Sequence, residues 1–148
     1  MSNSEFIVLP AVTDDQKEKL FGLREEVFVV EQKVDRAEEF DEFETSSFHF
    51  VAVDMNDNAI GAARWRSTNK GIKLERFAVK KTWRSKGVGT ALVQAVIEDI
   101  QRQEGNGHRL YLHAQLDAIP LYEKFDFVKI GDLFEECNIL HYTMERMS

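Results

Sequence analysis

A six-residue stretch, residues 84–89, follows an apolar run and precedes a segment in which apolar residues recur at helical spacing. The run at 74–79 predicts a strand, and the segment at 88–100 predicts a helix. The first backbone N–H groups of such a helix are unpaired, and the helix dipole attracts negative charge to them. Because Gly87 and Gly89 keep side chains away from these groups, the stretch predicts a phosphate-binding turn.

The distribution of charge supports an anion site in this turn. The formal net charge of −7 argues against a general nucleic-acid-binding surface. Lys80, Lys81, Arg84 and Lys86 nevertheless lie within seven residues that contain no acid. An acidic protein that gathers cations beside a helix N-terminus is expected to bind a small polyanion there. A solvated basic turn is the alternative that charge alone leaves open.

The order of apolar segments predicts an α/β fold. The chain of 148 residues is long enough for one domain with a single core. Predicted strands are residues 6–9, 48–53, 59–66, 72–79, 110–115, 127–130 and 139–144, and predicted helices are residues 14–30, 88–100 and 118–125. Turn-forming residues separate the second, third and fourth strands, which predicts an antiparallel meander within a mixed central sheet with flanking helices.

Several features predict a cytoplasmic location. No uninterrupted apolar run approaches the roughly 20 residues that cross a membrane, so no membrane partner is expected. The first residues lack the basic and apolar regions of a secretion signal. Cys137 is the only cysteine, which excludes an intramolecular disulfide. No cluster of His, Cys and Asp residues has metal-ligand spacing, so we expect no metal.

The glycine turn is compared with three known kinds of phosphate site. A Walker loop requires glycine, four residues and then Gly-Lys-Ser/Thr, and the chain contains no such string. A dinucleotide fingerprint would place its third glycine at Leu92, and it would follow the first strand of a parallel sheet rather than a meander. An acyl-coenzyme A site is the third possibility.

Two motifs carry a resemblance to a known family. Arg84-x-x-Gly87-x-Gly89 resembles the pyrophosphate-binding motif of the GNAT N-acetyltransferase superfamily. Residues 115–127, which include Tyr122, resemble the later Asn-x-x-Ala-x-x-x-Tyr-x-x-x-Gly-Phe segment of that superfamily. The spacing and the order of elements agree over nearly the whole chain, which is therefore similar to a single GNAT domain spanning residues 1–148.

The chain departs from the family pattern at two positions, and one further segment indicates a particular branch of the family. Gln115 stands where asparagine is usual, and Asp126 stands where glycine is usual. Aspartate tolerates a left-handed turn, so the fold is compatible with this change. Residues 23–32 are similar to the first-helix segment of small bacterial GNAT proteins of the ElaA type.

The resemblance implies how acetyl-coenzyme A would bind. In GNAT proteins the strand before the glycine turn splays from its parallel neighbour, and its free backbone groups bind the pantetheine amides. The N–H groups of the turn bind the pyrophosphate, and Lys80, Lys81 or Lys86 is in a position to reach a further phosphate. The implied cofactor-binding residues are Phe77, Ala78, Val79, Arg84, Ser85, Lys86, Gly87, Val88, Gly89, Thr90 and Gln115.

The resemblance also implies the reaction, which is direct transfer of an acetyl group to an amine of a small molecule or peptide. Tyr122 matches the family tyrosine near the thioester sulfur, and its implied role is to protonate the departing thiolate. A packing tyrosine with a locally bonded hydroxyl is the alternative. A non-catalytic sensor or regulatory module that binds acyl-coenzyme A is the rival function.

Glu75 and His113 are the candidate general bases. A carboxylate at Glu75, desolvated beside a bound amine, would have a raised pKa and accept a proton through water. A surface residue and a ligand for a cationic substrate are the open alternatives. Alternation places His113 on one face with Tyr111 and Gln115, where a histidine titrates near neutrality. For His113 and His141 the alternative is a packed, hydrogen-bonded side chain.

The acidic segment, residues 35–44, contains six acids and one arginine. In this family the first helix and the following loop border the acceptor cleft, so Glu31 and the acidic segment predict a rim that attracts a cationic amine. A solvated charged loop is the alternative. Phe40, Phe43 and Phe48 are expected to anchor this region to the core rather than to form an aromatic cage. The acidic segment and the closing strands are candidate interfaces for a homodimer.

Overall fold

A mixed seven-stranded sheet forms the centre of the computed structural model, which describes residues 5–148. In chain order the strands are β1 (Phe6–Pro10), β2 (Phe48–Asp54), β3 (Ala59–Thr68), β4 (Gly71–Val79), β5 (Arg109–Gln115), β6 (Val128–Glu136) and β7 (Ile139–Met147). Their spatial order is β1-β2-β3-β4-β5-β7-β6, and only the β4–β5 pair is parallel. The predicted meander and the α/β class are confirmed.

Helices cover the two faces of the sheet. They are α1 (Asp14–Arg24), α2 (Arg36–Glu39), α3 (Val88–Glu104) and α4 (Ile119–Glu123). α1 begins with a capping box: the Thr13 hydroxyl accepts from the N–H of Gln16, and the Gln16 side chain accepts from the N–H of Thr13. Within residues 5–148, no helix has the length and apolar character needed to cross a membrane.

The first helix differs from its predicted extent of 14–30. Residues Glu25–Glu31 form a π-helix, in which the N–H of Gln32 donates to the carbonyl of Val27, five residues earlier, at 3.0 Å. Val27 and Phe28 still face the core. The apolar spacing therefore looks helical in the sequence, although the wider turn changes where the neighbouring polar side chains lie.

Two apolar clusters lie against the sheet. One packs α3 against the strands and includes Trp65, Leu92 and Leu110, which are all fully buried. The other packs α1 and the π-helix and includes Leu20 and Val27. Burial of each such large side chain contributes about 1.5–3 kcal/mol to folding, so the clusters hold the strands that carry the site.

β4 contains a bulge that changes its facing pattern. The register with β3 shifts between Ala62 and Arg64, and Arg76 of β4 takes a positive φ of 60°. As a result Leu74 and Phe77 pack against the same apolar cluster although they are three residues apart. Strict alternation would place these two side chains on opposite faces.

β4 and β5 separate soon after they pair. They are paired only at Ile72–Leu110 and Lys73–Tyr111, although β4 continues to Val79 and β5 continues to Gln115. The facing edges of their second halves are therefore left without a strand partner. This separation is the splay that the family resemblance implies, and it opens the site described next.

Candidate functional site

The gap between β4 and β5 opens into a cleft of about 830 Å³. Its walls come from the π-helix, β4, the start of α3, β5, α4 and the β6–β7 turn. The predicted site residues that line it are Glu75, Phe77, Ala78, Val79, Arg84, Gly89, His113, Gln115 and Tyr122. Outside the lining of the cleft, Ser85, Lys86 and Gly87 lie in the adjoining turn, and Val88 and Thr90 lie in the first turn of α3.

The turn before α3 presents unpaired backbone donors. The N–H groups of residues 85–90 make no hydrogen bond with any atom of residues 5–148. Ser85 and Gly87 have positive φ values of 64° and 87°, and left-handed residues within a turn form concave nests of N–H groups. The 17-residue helix α3 begins directly after them and adds its dipole. This arrangement of donors is suited to an anion.

The two glycines of the turn serve different purposes. At Gly87 a Cβ would meet nothing within 4 Å, so the positive φ is what favours glycine there. At Gly89 a Cβ would lie 3.2 Å from Leu121 Cδ2, so α4 packs closely against the first turn of α3. The Val88 side chain is buried in the apolar cluster, which leaves only its N–H for a ligand.

Arg84 is more constrained than the motif predicts. Its N–H donates to the carbonyl of Lys81 at 3.4 Å, so the free donors begin at Ser85. Its guanidinium binds both carboxylate oxygens of Glu31, at 2.5 and 2.8 Å, and its Nε donates to the carbonyl of Val79 at 3.1 Å. The hydrogen bonds from Arg84 hold the pKa of Glu31 below its usual value. This pair joins the turn to the π-helix beside the cleft.

Tyr122 lies at the cleft with its hydroxyl free. The ring packs edge-on against Phe77 and Phe127, with centroid distances of 5.8 and 6.2 Å. The hydroxyl makes no hydrogen bond with any part of residues 5–148, so the locally bonded packing tyrosine is not observed there. Burial raises the pKa of the phenol, which keeps it protonated at neutral pH. Tyr122 is thus suited to donate a proton.

The expectation that Glu75 has a raised pKa is wrong. Arg64 and Arg66 donate to the same carboxylate oxygen at 2.8 and 2.7 Å, and Lys73 Nζ lies 3.4 Å from the other oxygen. Burial alone would raise the pKa, but the surrounding cations lower it to about 2. A carboxylate of such low pKa is a weak base and is poorly matched to proton abstraction near neutral pH.

His113 forms a pair with a carboxylate that the sequence did not single out. Its Nδ1 lies 3.1 Å from Glu136, and its ring packs edge-on against Phe134 at 5.1 Å. The hydrogen bond from His113 lowers the pKa of Glu136. Nε2 of His113 makes no hydrogen bond within residues 5–148, so this nitrogen is available for proton transfer.

Two further polar residues beside the cleft bond within the protein. Gln115 Nε2 donates to Gln32 Oε1 at 2.9 Å, which ties the end of β5 to the residue after the π-helix. His141 is buried and its Nδ1 lies 2.7 Å from the carbonyl of Ile139, as predicted by the packed alternative. Within residues 5–148, no group of three or more His, Cys, Asp or Glu residues is arranged to hold a metal ion.

Buried arginines neutralise much of the acidic segment. Arg24 binds Glu39 and Glu44, each at 2.8 Å. Arg64 binds Asp41 at 2.6 Å and Glu44 at 2.8 Å, and both arginines are almost fully buried. We call the following ion-paired set the arginine network: Arg24, Glu39, Asp41, Glu44, Arg64, Arg66, Lys73, Glu75 and Arg76. The segment is therefore neither a solvated loop nor an open acidic rim.

The aromatic residues of this region pack as anchors, as predicted. Phe48 stacks on Trp65 with a centroid distance of 4.4 Å. Phe40 packs edge-on against Phe21 at 5.9 Å. Phe43 lies under the guanidinium of Arg66, with 3.8 Å between the guanidinium carbon and the ring centroid.

Acid is expected to weaken the fold through the arginine network. The pKa values of Asp41 and Glu75 are lowered to about 2, because their arginine partners outweigh burial. These pKa values are lower in the folded than in the unfolded chain, so their stabilisation is present above about pH 4.5 and is lost as pH falls toward 2. Each carboxylate contributes on the order of 2 kcal/mol.

Urea unfolding between pH 7 and pH 3 measures this loss. In Glu75→Gln, the free energy of unfolding should be lower at pH 7 and should depend less on pH than in the wild type. Equal pH dependence in the two proteins would contradict the role assigned to Glu75.

Comparisons with known proteins agree with this geometry. A family model described as the Acetyltransferase (GNAT) domain matches residues 8–147. The chain belongs to this family. It is 37% identical over 135 residues to the uncharacterized N-acetyltransferase YjcF of Bacillus subtilis (strain 168), with 90% of this chain and 94% of that protein covered. Acyl transfer is therefore the general chemistry of this GNAT domain.

Solved structures show the same fold. Escherichia coli ElaA is 26% identical, with a TM-score of 0.83 and coverage of 96% of this chain and 99% of that one. An aminoglycoside 6'-N-acetyltransferase complexed with coenzyme A is 15% identical, with a TM-score of 0.75 and coverage of 95% and 96%. The second likeness concerns the fold alone. The predicted GNAT family and ElaA-like resemblance are confirmed.

Some features of the site had little signal in the sequence. The apolar residues of the π-helix and of the strand with the Arg76 bulge are spaced as in an ordinary helix and strand. Arg64 and Arg66 did carry a signal, because two arginines alternate along an otherwise apolar strand and must share a face. Lys73 and Glu136 were detectable only from their neighbours in the folded chain.

Proposed function

We propose that this GNAT domain transfers the acetyl group of acetyl-coenzyme A to a primary amine of a small molecule or peptide. The observation that carries the proposal is a single cleft, bordered by the unpaired N–H groups of residues 85–90 and containing the free hydroxyl of Tyr122. The location that we propose is the cytoplasm, on the grounds of cysteine usage given above.

The residues present suit a long, phosphorylated donor. The N–H groups of residues 85–90 would hold the pyrophosphate. The edge of β4 at residues 77–79, which has no strand partner on this side, would bind the pantetheine amides, with the Val79 carbonyl already accepting from Arg84. Lys86 stands beside the turn, with its ammonium 5.2 Å from the Trp83 ring centroid, and would attract a further phosphate. The coenzyme A complex of the aminoglycoside 6'-N-acetyltransferase, which has the same fold, supports this assignment.

The side chains of the cleft supply the proton transfers. Acetyl-coenzyme A, when bound, supplies an acetyl group activated as a thioester. The acceptor nitrogen forms a bond to the acetyl carbon, and the carbon–sulfur bond breaks with its electron pair left on sulfur. Tyr122 donates its phenolic proton to the sulfur. His113, held by Glu136, takes the proton of the amine through water, and solvent exchange restores both groups.

Donor binding can be tested at the glycine turn. Gly87→Ala should weaken binding of acetyl-coenzyme A about five- to thirtyfold, because a side chain disfavours the positive φ of the binding conformation by roughly 1–2 kcal/mol. Gly105→Ala is the matched control, since Gly105 also has a positive φ but lies at the other end of α3. Isothermal titration should give a wild-type Kd for Gly105→Ala. Absence of binding to the wild type at millimolar ligand would exclude the proposed donor.

Measuring the release of free coenzyme A distinguishes an acetyltransferase from a non-catalytic sensor. Incubation with acetyl-coenzyme A and a panel of primary amines should release free coenzyme A in proportion to acetylated amine. Binding without any acceptor consumed, across small-molecule and peptide amines, would favour the sensor or regulatory module instead.

A further inference from the structure

We propose that the acceptor carries a carboxylate as well as its amine, and that Arg66 and Lys73 bind this carboxylate. The inference rests on the proposed acetyl transfer and names the class of acceptor. Both side chains line the cleft on the adjacent strands β3 and β4, where they face each other in the strand register.

Arg66 is held in one orientation with part of its donor set free. Its Nε donates to Glu75 at 2.7 Å, and its guanidinium lies on the Phe43 ring. Its side chain is only 17% exposed. The two terminal nitrogens make no hydrogen bond with residues 5–148. A fixed guanidinium with two free terminal nitrogens matches the two oxygens of a carboxylate.

Lys73 adds a second cation beside this guanidinium. Its Nζ lies 3.4 Å from Glu75, and its side chain is 16% exposed. It makes no hydrogen bond within residues 5–148. An ammonium group carries three donors, so Lys73 can bind an oxygen of the same carboxylate without leaving Glu75.

Within the arginine network, the carboxylates do not fully neutralise Arg66 and Lys73. The arginine network contains five cations and four carboxylates. Arg24, Arg64 and Arg76 each contact at least two of the carboxylates. Within residues 5–148, Arg66 and Lys73 form ion pairs only with Glu75, which Arg64 also binds. The excess positive charge therefore lies at the side of the network that faces the cleft.

The other acids of the cleft have partners of their own, and Glu136 also interacts electrostatically with Lys73. Glu136 is paired with His113, Glu38 accepts from Cys137 Sγ at 2.8 Å, and Glu31 is bound to Arg84. The charge of Asp117 raises the pKa of Tyr122 and of Arg84, so Asp117 lies near the proposed donor side of the cleft. An amino carboxylate thus fits the acceptor end, with its nitrogen toward the thioester and its carboxylate on Arg66. Polyamines lack the group that this pair would bind.

Paired bisubstrate compounds test the inference. In each compound a –CH₂–CO– bridge joins the sulfur of coenzyme A to the nitrogen of glycine, β-alanine or 4-aminobutyrate. The partners carry methylamine, ethylamine or propylamine, which differ only by loss of the carboxylate. For at least one pair, isothermal titration should show the carboxylate compound binding about ten- to a hundredfold more tightly.

Variants of Arg66 and Lys73 test whether these residues cause the tighter binding of the carboxylate compounds. Arg66→Gln should abolish most of the carboxylate gain, and Lys73→Gln should reduce it, while the Kd of coenzyme A itself stays at the wild-type value. The unchanged Kd of coenzyme A also verifies that each variant is folded. Arg66→Lys keeps the charge but not the planar donor pair, and it should recover only part of the gain.

The possible failures are distinguishable. Equal affinity within all three pairs, or a gain that survives both glutamine variants, would overturn the carboxylate assignment and leave acetyl transfer intact. If neither coenzyme A nor any of the six compounds binds the wild type, the proposed function fails, and this inference fails with it.

Discussion

Replacing Tyr122 with phenylalanine is expected to lower kcat about a hundredfold or more, while the Kd for acetyl-coenzyme A changes less than about twofold. General acid catalysis by a positioned side chain contributes roughly 10²–10⁴-fold to a rate. Phenylalanine keeps the edge-on contacts with Phe77 and Phe127 and removes only the hydroxyl, which has no partner within residues 5–148. The change therefore isolates the proton donor from the packing.

Tyr111 offers a matched control for this substitution. It is buried on β5, and its hydroxyl is 2.7 Å from the Thr68 hydroxyl rather than in the cleft. Tyr111→Phe removes the same atom from a neighbouring tyrosine, and it should leave kcat within about twofold of wild type. Steady-state kinetics with any accepted amine, together with titration of the donor, measures both variants. Equal kcat values for Tyr122→Phe and the wild type would remove the proposed acid.

Replacing Arg64 with methionine is expected to lower the free energy of unfolding by about 3–5 kcal/mol. Arg64 is fully buried and binds Asp41, Glu44 and Glu75 within 2.8 Å. Removal of one member of a buried ion cluster leaves the opposite charges without compensation, which is more damaging than the loss of the pair itself. The loss is large against the total stability of about 5–15 kcal/mol that is usual for a domain.

Arg36 provides the control for charge removal at the surface. It pairs with Glu25 at 3.0 Å, and both side chains are largely exposed. Arg36→Met should change the free energy of unfolding by no more than about 1 kcal/mol. Urea unfolding at pH 7 compares the two variants. A loss for Arg64→Met as small as that for Arg36→Met would show that the buried cluster does not stabilise the fold.

The arginine network also links stability to the proposed acceptor end of the cleft. Arg64 holds Glu75 in place, and Glu75 in turn holds Nε of Arg66. Glu75 is therefore best described as a positioning residue and not as the base. Glu75→Gln would retain the shape of this contact but remove the charge that fixes both arginines.

Much of the fold was readable from local patterns. The capping box at Thr13, the apolar repeat of α3 and the turn residues between β2, β3 and β4 each depend on neighbours within a few positions. The longer closing strand β6 was not readable in full, because its pairing with β7 is interrupted between Ile130 and Phe134. The predicted strand ended at the first side of this irregularity.

The sequence was a poorer guide to the direction in which the side chains of the site point. A single extra residue at the Arg76 bulge reverses the alternation of β4, and the π-helix rotates the residues that precede Gln32. Neither feature changes the apolar spacing enough to be noticed. The expectation for Glu75 was wrong for a related reason, since its pKa depends on Arg64 and Arg66 of another strand.

The proposed donor side and the proposed acceptor side of the cleft thus differ in how the sequence determines them. The proposed anion-binding turn depends on the consecutive residues 84–89, because unpaired N–H groups and positive φ values are properties of a short stretch of backbone. The acceptor side is built from charges that are distant along the chain and meet only after folding, as Arg24, Glu44 and Arg64 do. Whether an acid is free or neutralised is set by such contacts. Only the tertiary structure shows that Glu39, Asp41 and Glu44 are paired with buried arginines and that Arg66 and Lys73 line the cleft.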